Sequence, residues 1–580
     1  MRWQLRAAEE SEVARLAAEA GLPPVMARLL VARGVRDAAE AHRFLAPSLD
    51  HLHSPYAMLG MDKAVARLRT VIANREPALI YGDYDVDGTV AIVILKTAIE
   101  LCGGTAEFHV PHRIRDGYGM KDDVIERAAA GGVRLIISVD TGIRAFAAAE
   151  TARRLGLDLI VTDHHLPDQD EGVPQATAVL NPNQAGCGYP CKALCGAGVA
   201  FKLAQALLEE KGRARLLPSF LKMVAIATIA DVVPLVGENR VFAKLGLDGL
   251  RQPVNAGLKA LLEAASLAGS RRLTAGDVAF RLAPRLNAAG RMDVAQDVIE
   301  LFSVKDGGRA REIAGRLNQL NAERQQEEQR IVDAVEELLS RSPEMRDGFC
   351  LVLDGEGWHR GVIGIAATRV VERYGRPALV LSREGGEAYG SGRSIPGFHL
   401  LEALESCRDM FTRLGGHAHA CGFSLPAERV PALRRALDEY ARARLTPADF
   451  EPLLEYDGEL ALEQITPALY DQLQRLEPFG MGNPEPVFAA RAARVTLPPR
   501  VLKDKHIKLR LAQADGAGVA RGIDAVGWRM AERVQQAAIL AGDTVDVAFT
   551  IERNTHPEYG GLELRIEDVV STAVAAANQS

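Results

Sequence analysis

The chain has 580 residues, too many for one ordinary core, and this length suggests about three or four domains. Its hydrophobic content of 48% and charged content of 25% are typical of a soluble globular protein, and we find no run of about eighteen apolar residues that would predict a membrane span. The formal net charge of −7 excludes a wholly basic nucleic-acid coat but not a local basic groove, because binding depends on how charge is distributed.

The N-terminal sequence and the cysteines bear on location. Acidic residues interrupt the segment where a secretory signal would need an apolar stretch, so we expect no secretory signal. Seven cysteines, an odd number without a framework spacing, favour the reducing cytoplasm. Three of them, Cys187, Cys191 and Cys195, follow a C-x3-C-x3-C spacing that suggests a zinc or cluster site. No convincing fourth ligand accompanies them, and their role stays open.

The first half of the chain alternates strands and helices. Residues 1–60 are predicted to form a helical N-terminal extension, and residues 61–236 an α/β domain. Four short apolar segments in that domain, ALIYG, AEFHVP, RLIISVD and LDLIVTD, alternate with amphipathic helices. This alternation is typical of a parallel sheet covered by helices on both faces.

The second half begins with a connector. Residues 237–345 are predicted to be helical and to end in one long helix over 303–340, whose middle has no apolar stripe. A helix that is polar all round bridges domains through solvent or is stabilised by charge pairs. A second α/β domain follows over 346–455, and residues 456–575 show short alternating strands that are typical of a small β-barrel. The predicted fold class is α/β, with two α/β domains joined by a long helix and a C-terminal barrel.

The segment GDYDVDGT places Asp83, Asp85 and Asp87 at alternate positions before a glycine. A calcium-binding EF-hand loop begins in the same way, but its twelfth position needs a bidentate carboxylate, and here that position is Ile94. The apolar runs on either side predict a strand, an acidic turn and a helix. Ligands of open α/β sheets bind beyond the carboxyl ends of the strands, so these acids are placed for chemistry. An Asp-rich surface turn is the competing interpretation.

Three further segments place acids or histidines at the predicted ends of strands or helices. The candidates are Asp140 in SVDTG, Asp163, His164 and His165 in VTDHH, and Asp231 in ATIADVVPL. Each aspartate alone could be a helix cap or a turn residue, but adjacent histidines favour a metal site because imidazole is a frequent transition-metal ligand. Together the segments predict a dinuclear site, in which carboxylates hold two divalent ions about 4 Å apart and assist displacement at phosphorus. Mixed oxygen and nitrogen ligands suit Mn²⁺ or Mg²⁺.

The same motifs resemble a known family. In order, DYDVDGT, SVDTG, TDHH and ATIADVVPL are similar to the four motifs of the DHH phosphoesterases, and GGHAHACGF resembles the glycine-histidine motif of the DHHA1 domain. Four further segments, PHRIRDGYG, PRLNAAGRM, GSGRSIPGFHL and LEPFGMGNPEP, resemble signatures of the bacterial members that are exonucleases for single-stranded DNA. The resemblance covers nearly the whole chain, and it implies an OB-fold for the C-terminal barrel.

The resemblance also implies roles at the metal site. The implied ligands of two Mn²⁺ or Mg²⁺ ions are Asp85, Asp87, Asp140, His164 and Asp231, with Asp140 as the bridge and Asp83 as a ligand or close support. His165 is similar to the family's second histidine, which faces the scissile phosphate and donates a hydrogen bond or proton. Asp163 would orient a histidine from outside the ligand set.

Contacts to the DNA strand are implied as well. Ser391 and Arg393 resemble contacts to the terminal 5′-phosphate, and the other residues expected to bind the strand are Arg113, either Arg285 or Arg291, Gly415, Gly416 and His417. Arginine suits phosphate because its planar fork binds bidentately, and surface salt bridging is the competing account. Tyr118, and less so the rings at Trp358 and His359, could stack on bases, although core aromatics are more common. On the barrel the expected basic face consists of Lys503, Lys505, Lys508 and Arg510, with an ordinary solvated strand as the alternative.

The implied function is a single-strand-specific 5′→3′ exonuclease that releases 5′-mononucleotides by two-metal hydrolysis. It would act in DNA recombination and repair in the cytoplasm, beside a single-strand binding protein and a RecQ-type helicase, with no role at a membrane. One alternative is a DHH-DHHA1 phosphodiesterase for short oligonucleotides or cyclic dinucleotides, whose members are typically shorter and lack the barrel. Another is a non-enzymatic replication scaffold, although every motif position here retains its Asp or His.

Overall fold

The computed structural model describes residues 1–270, 272–293, 295–513, 522–554 and 560–572. The chain divides into two compact units. One unit comprises Met1–His51, Pro234–Val236 and Pro452–Ser580, and the other comprises Leu52–Val233 and Gly237–Glu451.

The N-terminal part of the first of these units is mainly helical. Its elements are strand β1 (Arg2–Leu5) and helices α1 (Glu10–Ala20), α2 (Pro24–Ala32) and α3 (Ala38–Leu45). Glycine ends α1, because Gly21 adopts the left-handed conformation with φ 62°. Asp37 caps α3 by accepting the backbone N–H of Glu40 at 2.7 Å.

The second unit begins with a five-stranded parallel sheet. Its strands are β2 (Ala78–Tyr81), β3 (Glu107–His109), β4 (Leu135–Val139), β5 (Asp158–Thr162) and β6 (Ala178–Leu180), in the order β3-β2-β4-β5-β6. The helices of this region are α4 (Met61–Asn74), α5 (Val86–Leu101), α6 (Asp122–Ala130), α7 (Phe146–Arg154) and α8 (Gly196–Glu210). The predicted parallel sheet is confirmed, with four strands at the predicted segments and β6 as an unpredicted edge strand. All residues of β2 and β4 are buried, as expected of a sheet covered on both faces.

A helical region follows. Its members are α9 (Leu217–Ala230), α10 (Gly237–Leu250), α11 (Ala256–Ala264), α12 (Ala275–Asp277), α13 (Ala283–Met292), α14 (Gln296–Ser303), α15 (Gly307–Arg341) and α16 (Pro343–Arg346), with a π-helical turn over Val278–Leu282. The predicted long helix is confirmed as α15. Its middle is not wholly solvated, however, because Asn321 and Arg324 are buried there. Among the described helices, none is both long enough and apolar enough to cross a membrane.

The second sheet of this unit is mixed. Its strands are β7 (Leu351–Glu356), β8 (Ala378–Glu384), β9 (Glu387–Arg393), β10 (Arg413–Gly416) and β11 (Ala420–Pro426), in the order β10-β11-β9-β8-β7, and only β7 and β8 pair in parallel. The helices beside it are α17 (Ile363–Tyr374), α18 (Leu400–Glu405) and α19 (Val430–Arg442). Of the two alternatives for Trp358, a stacking ring or a core aromatic, the structure shows the core aromatic. Its ring is 5% exposed and packs in the core against Gly355, where a Cβ would lie 2.2 Å from the ring.

The C-terminal part of the first unit is the predicted barrel. Its elements are β12 (Leu453–Tyr456), β13 (Gly458–Glu459), α20 (Pro467–Gln474), β14 (Phe488–Val495), β15 (Arg500–Leu502), β16 (His506–Ala512), β17 (Ile523–Gly527), α21 (Ala531–Gln536), β18 (Thr544–Asn554) and β19 (Gly561–Ser571). The strand order is β13-β14-β18-β19-β17-β16-β15, and β14 also pairs with β16, which closes the sheet. The N-terminal helices share the barrel's core, since Leu16 and Met26 belong to one cluster with Phe488 and Phe549.

The three closely spaced cysteines form no metal cluster. Cys195 instead caps α8, with its Sγ accepting the backbone N–H of Gly198 at 3.4 Å. Cys187 is buried, and its Sγ accepts the N–H of Leu59 at 3.5 Å. Within the described ranges, the side-chain groups close enough to hold a metal include no cysteine.

Candidate active site

The acidic turn lies between β2 and α5, as predicted. Asp85 is the N-cap of α5, and its Oδ1 accepts the backbone N–H of Gly88 at 3.0 Å. The turn folds tightly on itself, because a Cβ at Gly88 would lie 2.7 Å from the backbone of Asp83. A strand precedes the acids where an EF-hand would have a helix, so the calcium-loop alternative is excluded.

Asp87 lies in the first turn of α5 and is held by the N-terminus of α8. The backbone N–H of Gly196 donates to its Oδ2 at 2.6 Å, and that of Ala197 donates to its Oδ1 at 2.8 Å. A helix N-terminus favours a carboxylate, because its free N–H groups carry partial positive charge. Gly196 also permits the close approach of Asp140, since a Cβ at Gly196 would lie 2.5 Å from the Asp140 carboxylate.

Asp140 follows β4 in a strained conformation. Its φ of 58° lies in the left-handed region, which Asp tolerates better than most residues. Nε2 of His164 lies 3.2 Å from Oδ1 of Asp140, 3.8 Å from Oδ2 of Asp87 and 3.8 Å from Oδ2 of Asp231. One imidazole nitrogen therefore faces carboxylates that come from three separate elements.

The predicted ligand residues are brought together. Three overlapping groups each place their donor atoms within 4.8 Å of one another, and these groups are Asp83, Asp85 and Asp140; Asp87, His164 and Asp231; and Asp140, His164 and His165. Burial, followed by repulsion from neighbouring carboxylates, raises the pKa of Asp83 to about 8 and that of Asp231 to about 9. The pKa of Asp140 rises well above its usual range for the same reasons.

The donor set fits divalent cations. Oδ1 of Asp83 and Oδ1 of Asp140 are buried, and within the described residues neither accepts a hydrogen bond. Buried carboxylates without partners are unfavourable in a protein interior, so acids packed this closely need positive charge between them. Carboxylate oxygens with one imidazole nitrogen form a donor set that suits Mn²⁺ or Mg²⁺.

His165 is oriented by Asp163. Oδ1 of Asp163 lies 2.7 Å from Nδ1 of His165, and its Oδ2 accepts the backbone N–H of Ile143 at 2.9 Å. Burial alone would lower the pKa of His165, but the hydrogen bond and charge of Asp163 raise it overall. The hydroxyl of Tyr118 lies 3.4 Å from the same ring nitrogen. This arrangement favours the protonated form of the imidazole beside the carboxylates.

An arginine cluster, consisting of Arg113, Arg291, Arg324 and Arg393, lies in the same unit. Burial, then the charges of the other three, lower the pKa of Arg291 to about 9. Nη1 of Arg393 donates to Oγ of Ser391 at 3.1 Å, and Arg113 lies over the ring of Tyr84 at 4.0 Å from its centroid. Arg324 is buried and pairs with Glu328, whereas Arg113, Arg291 and Arg393 are half-buried. Half-buried guanidinium groups that lie close enough to repel one another indicate a site for an anion such as phosphate.

Of the two arginines left as alternatives by the sequence, Arg291 belongs to this cluster and Arg285 is bonded elsewhere. The guanidinium of Arg285 donates to Oδ1 of Asn318 at 3.0 Å and to the carbonyl of Arg281. Arg324 is a cluster member that the sequence did not reveal. One signal in the sequence could have pointed to it: Asn321 lies one turn before Arg324 on a polar helix. In the structure the guanidinium of Arg324 donates to Oδ1 of Asn321 at 2.6 Å.

A cleft of about 790 Å³ lies beside His165. Residues of both α/β parts line it, among them Tyr118, Arg144, Phe146, Gly415, Gly416 and His417. The expected Gly415, Gly416 and His417 therefore share one cleft with the expected Tyr118. Gly416 has a φ of 144°, and a Cβ there would lie 2.4 Å from the carbonyl of Ala420, so only glycine fits this turn. Sequence reasoning missed Arg144 and Phe146.

Of the four basic residues expected to form one face of the barrel, two are paired with an acid and two are exposed. Lys508 and Arg510 both pair with Asp524, at 2.9 Å and 2.6 Å, so their charges are offset. Lys503 and Lys505 are exposed. Close to them lies an unpredicted aromatic ring, Trp528, whose exposed fraction is 55% and whose centroid is 4.8 Å from that of His506. An exposed tryptophan beside lysines can stack on a base.

Family comparisons agree with this architecture. Residues 77–228 match the DHH family, N-terminal domain, residues 347–443 match the DHHA1 domain, and residues 456–568 match the RecJ OB domain. The single-stranded-DNA-specific exonuclease RecJ of Bacillus subtilis is 37% identical over 579 residues, which cover 98% of this chain and 70% of that protein. The RecJ of Escherichia coli is 36% identical over 550 residues, covering 90% of this chain and 93% of that protein.

Solved structures are similar over almost the whole chain. The crystal structure of Thermus thermophilus RecJ in complex with Mn²⁺ matches with a TM-score of 0.82 and 29% identity, covering 98% of this chain and 79% of that one. The structure of the same protein with Mg²⁺ matches with a TM-score of 0.78 and 28% identity over 98% of this chain and 78% of that one. The chain therefore belongs to the RecJ family of exonucleases, phosphoesterases that combine DHH, DHHA1 and OB domains.

Proposed function

We propose that this protein is a 5′→3′ exonuclease that removes 5′-mononucleotides from single-stranded DNA. The observation that carries the proposal is the presence, in one unit, of a cluster of carboxylates and histidines together with the arginine cluster. The first cluster suits hydrolysis of a phosphodiester, and the second suits recognition of a terminal phosphate. Relatives named for single-strand-specific exonuclease activity support DNA as the substrate.

Two Mn²⁺ or Mg²⁺ ions are the proposed cofactors, and RecJ structures with each ion support this choice. The residues that would hold them are Asp83, Asp85, Asp87, Asp140, His164 and Asp231. When bound, such ions activate water and stabilise charge on the oxygens around phosphorus. Asp140 and His164 each belong to two of the three donor groups. Of these two, Asp140 would be the shared ligand, because a carboxylate offers two oxygen atoms that could each hold an ion.

His165 is proposed to act on the scissile phosphate. Asp163 holds its Nδ1 at 2.7 Å, which leaves Nε2 as the nitrogen that can donate to a phosphate oxygen. The raised pKa of His165 keeps the ring protonated over a wider pH range, so it can supply a hydrogen bond or a proton to the leaving oxygen. Tyr118 lies edge-on to this ring, with 5.9 Å between centroids, and presents its exposed face for stacking on a base.

The 5′→3′ polarity is proposed to come from the arginine cluster. Arg113, Arg291, Arg393 and Ser391 would grip a terminal 5′-phosphate. Gly364 near the start of α17 leaves room beside them, since a Cβ there would lie 2.9 Å from Oγ of Ser391. A 5′-phosphate carries more negative charge than an internal phosphodiester, so a site rich in guanidinium groups favours the strand end. Cleavage would then proceed from that end.

The remaining proposals concern the setting of the reaction. Gly415, Gly416 and His417 would contact the strand in the cleft, and Trp528 with Lys503 and Lys505 would bind single-stranded DNA on the barrel. We propose a role in DNA recombination and repair in the cytoplasm, with a single-strand binding protein and a RecQ-type helicase as partners. Membership of the RecJ family supports these roles, and pull-down with each purified partner would test them.

The activity can be tested with one set of substrates. The purified protein is incubated with Mn²⁺ and a single strand labelled separately at each end, beside the same sequence as a blunt duplex and as RNA. We expect early release of labelled mononucleotide from the 5′ end of single-stranded DNA. Release from the 3′ end would contradict the polarity, and cleavage confined to dinucleotides would favour a small-substrate phosphodiesterase instead.

Replacing Arg393 by Ala should weaken recognition of the strand end. Loss of a charged hydrogen bond of about 1.5–3 kcal/mol lowers kcat/KM by about 10- to 100-fold. We expect this loss on a 5′-phosphorylated strand and a much smaller one on a 5′-hydroxyl strand, measured by steady-state kinetics. The matched control is Arg373→Ala, whose guanidinium is exposed on α17 and pairs with Glu336. An equal loss on both strands would contradict a role at the terminal phosphate.

A further inference from the structure

One helix, α13, contacts the acidic turn directly. Oδ1 of Asn287 accepts the backbone N–H of Val86 at 3.1 Å. Val86 is the first residue of α5, where a backbone N–H has no acceptor within its own helix. The side chain of the cap residue Asp85 instead accepts the backbone N–H of Gly88, three residues further on. Asn287 therefore supplies from another helix the acceptor that α5 lacks at its start.

The same helix also packs on the other side of Asp85. A Cβ at Gly290 would lie 2.3 Å from the carbonyl oxygen of Tyr84, so the backbone of Tyr84 rests directly against α13. Tyr84 and Val86 flank Asp85 in the chain, and both are held by residues of α13 that lie three positions apart. Residues three apart share one helix face, so a single face of α13 supports the turn.

The C-terminal end of α13 is anchored in turn on the DHHA1 domain. Nη1 of Arg291 donates to the carbonyl of Gly361 at 3.1 Å. The backbones of the two residues also lie close together, because a Cβ at Gly361 would lie 2.3 Å from the carbonyl oxygen of Arg291. The helix that supports the acidic turn is thus itself held in place by the half-buried Arg291 in its last turn.

We infer that Asn287 is a positioning residue for the acidic turn, holding the start of α5 so that Asp85 and Asp87 converge on divalent cations. The inference rests on the proposed metal-dependent hydrolysis and adds to it a residue outside the proposed metal ligands and DNA contacts. A partner that orients ligands from outside the ligand set typically changes metal affinity or activity by about 10- to 100-fold when it is removed. The carboxamide oxygen is the atom that matters, because a backbone N–H needs an acceptor.

The test compares Asn287→Ala with Asn287→Asp. Binding of Mn²⁺ alone is measured, without DNA, from the electron paramagnetic resonance signal of the free ion. We expect Asn287→Ala to weaken Mn²⁺ binding by about ten-fold or more and to lower kcat, with KM for single-stranded DNA unchanged because the bond between Arg291 and Gly361 remains. Asn287→Asp keeps an acceptor of the same shape and is expected to bind Mn²⁺ nearly as the wild type does.

A matched control separates positioning from general stability. Asn255 also accepts the N–H of a helix start, that of Leu258 at 2.9 Å on α11, away from the acids. Asn255→Ala should lower the melting temperature without changing Mn²⁺ binding. Wild-type Mn²⁺ binding in folded Asn287→Ala, or equal defects in the Ala and Asp variants, would overturn the inference. Failure of the wild type to degrade single-stranded DNA would instead count against the proposed function, because the Mn²⁺ measurement contains no DNA.

Discussion

Replacing Asp140 by Asn is expected to lower hydrolysis by about 10³-fold or more while the protein stays folded. Asp140 belongs to two of the three donor groups, and its Oδ1 lies 3.2 Å from Nε2 of His164. An amide in its place keeps the shape of the side chain but removes the negative charge with which Asp140 would hold a divalent cation. The measurement is single-turnover cleavage of 5′-labelled single-stranded DNA in Mn²⁺.

Thermal denaturation gives a second readout for the same variant. Asp140 is buried beside other carboxylates, so its charge is unfavourable without cations, and Asn should not lower the melting temperature in the presence of a chelator. Mn²⁺ should raise the melting temperature of the wild type, because a ligand that binds only the folded state stabilises it, and should raise that of the variant less. Asp170→Asn, at an exposed position, is the control. Wild-type turnover by Asp140→Asn would rule out its role as a ligand.

Replacing Lys202 by Met is expected to destabilise its unit by about 3–5 kcal/mol, the usual loss when one partner of a buried ion pair is removed. Lys202 and Glu238 have no exposed side-chain surface, and Nζ lies 2.8 Å from Oε1 of Glu238. Nζ also donates to the carbonyl of His53 at 2.7 Å, and the hydroxyl of Tyr189 donates to the other carboxylate oxygen. Met fills a similar volume but leaves the charge of Glu238 without its counter-ion.

The measurement is thermal denaturation followed by circular dichroism. The control is Lys244→Met, which removes a partly exposed lysine whose Nζ lies 3.5 Å from Oδ2 of Asp248, one turn away, and which should change stability by no more than about 0.5 kcal/mol. The double variant Lys202→Met with Glu238→Gln should lose less stability than the sum of the losses in the two single variants, because it removes both charges and leaves neither one unpaired. A Lys202→Met melting temperature equal to that of Lys244→Met would show that the buried pair contributes little.

Much of the architecture follows from local sequence pattern. The parallel sheet is visible in the apolar segments that become β2, β4 and β5, because consecutive buried residues need no information from distant parts of the chain. The acids at the ends of these strands are predictable for the same reason, since parallel strands present their carboxyl ends at one edge. The long helix α15 is recognisable from its length and polar composition.

Burial and pairing of individual side chains could not be read in this way. Trp358 is a core residue because Gly355 leaves room for its ring, and Arg291 rather than Arg285 joins the arginine cluster because Asn318 binds the latter. Lys508 looks free in a strand pattern, but Asp524 on the neighbouring strand neutralises it. Each outcome depends on which residues meet after folding.

The amino-acid sequence by itself therefore determined the order and type of the domains' main elements and the acids and histidines that could bind metal. Only the tertiary structure decided that Asn287, some 200 positions away, supports the acidic turn at Val86, and that the N-terminal helices complete the core of the C-terminal barrel. The physical reason is the distance along the chain over which each kind of interaction acts. Periodicity and turn chemistry act between neighbours in the chain, whereas hydrogen-bond partners and core contacts join residues that only the folded backbone brings together.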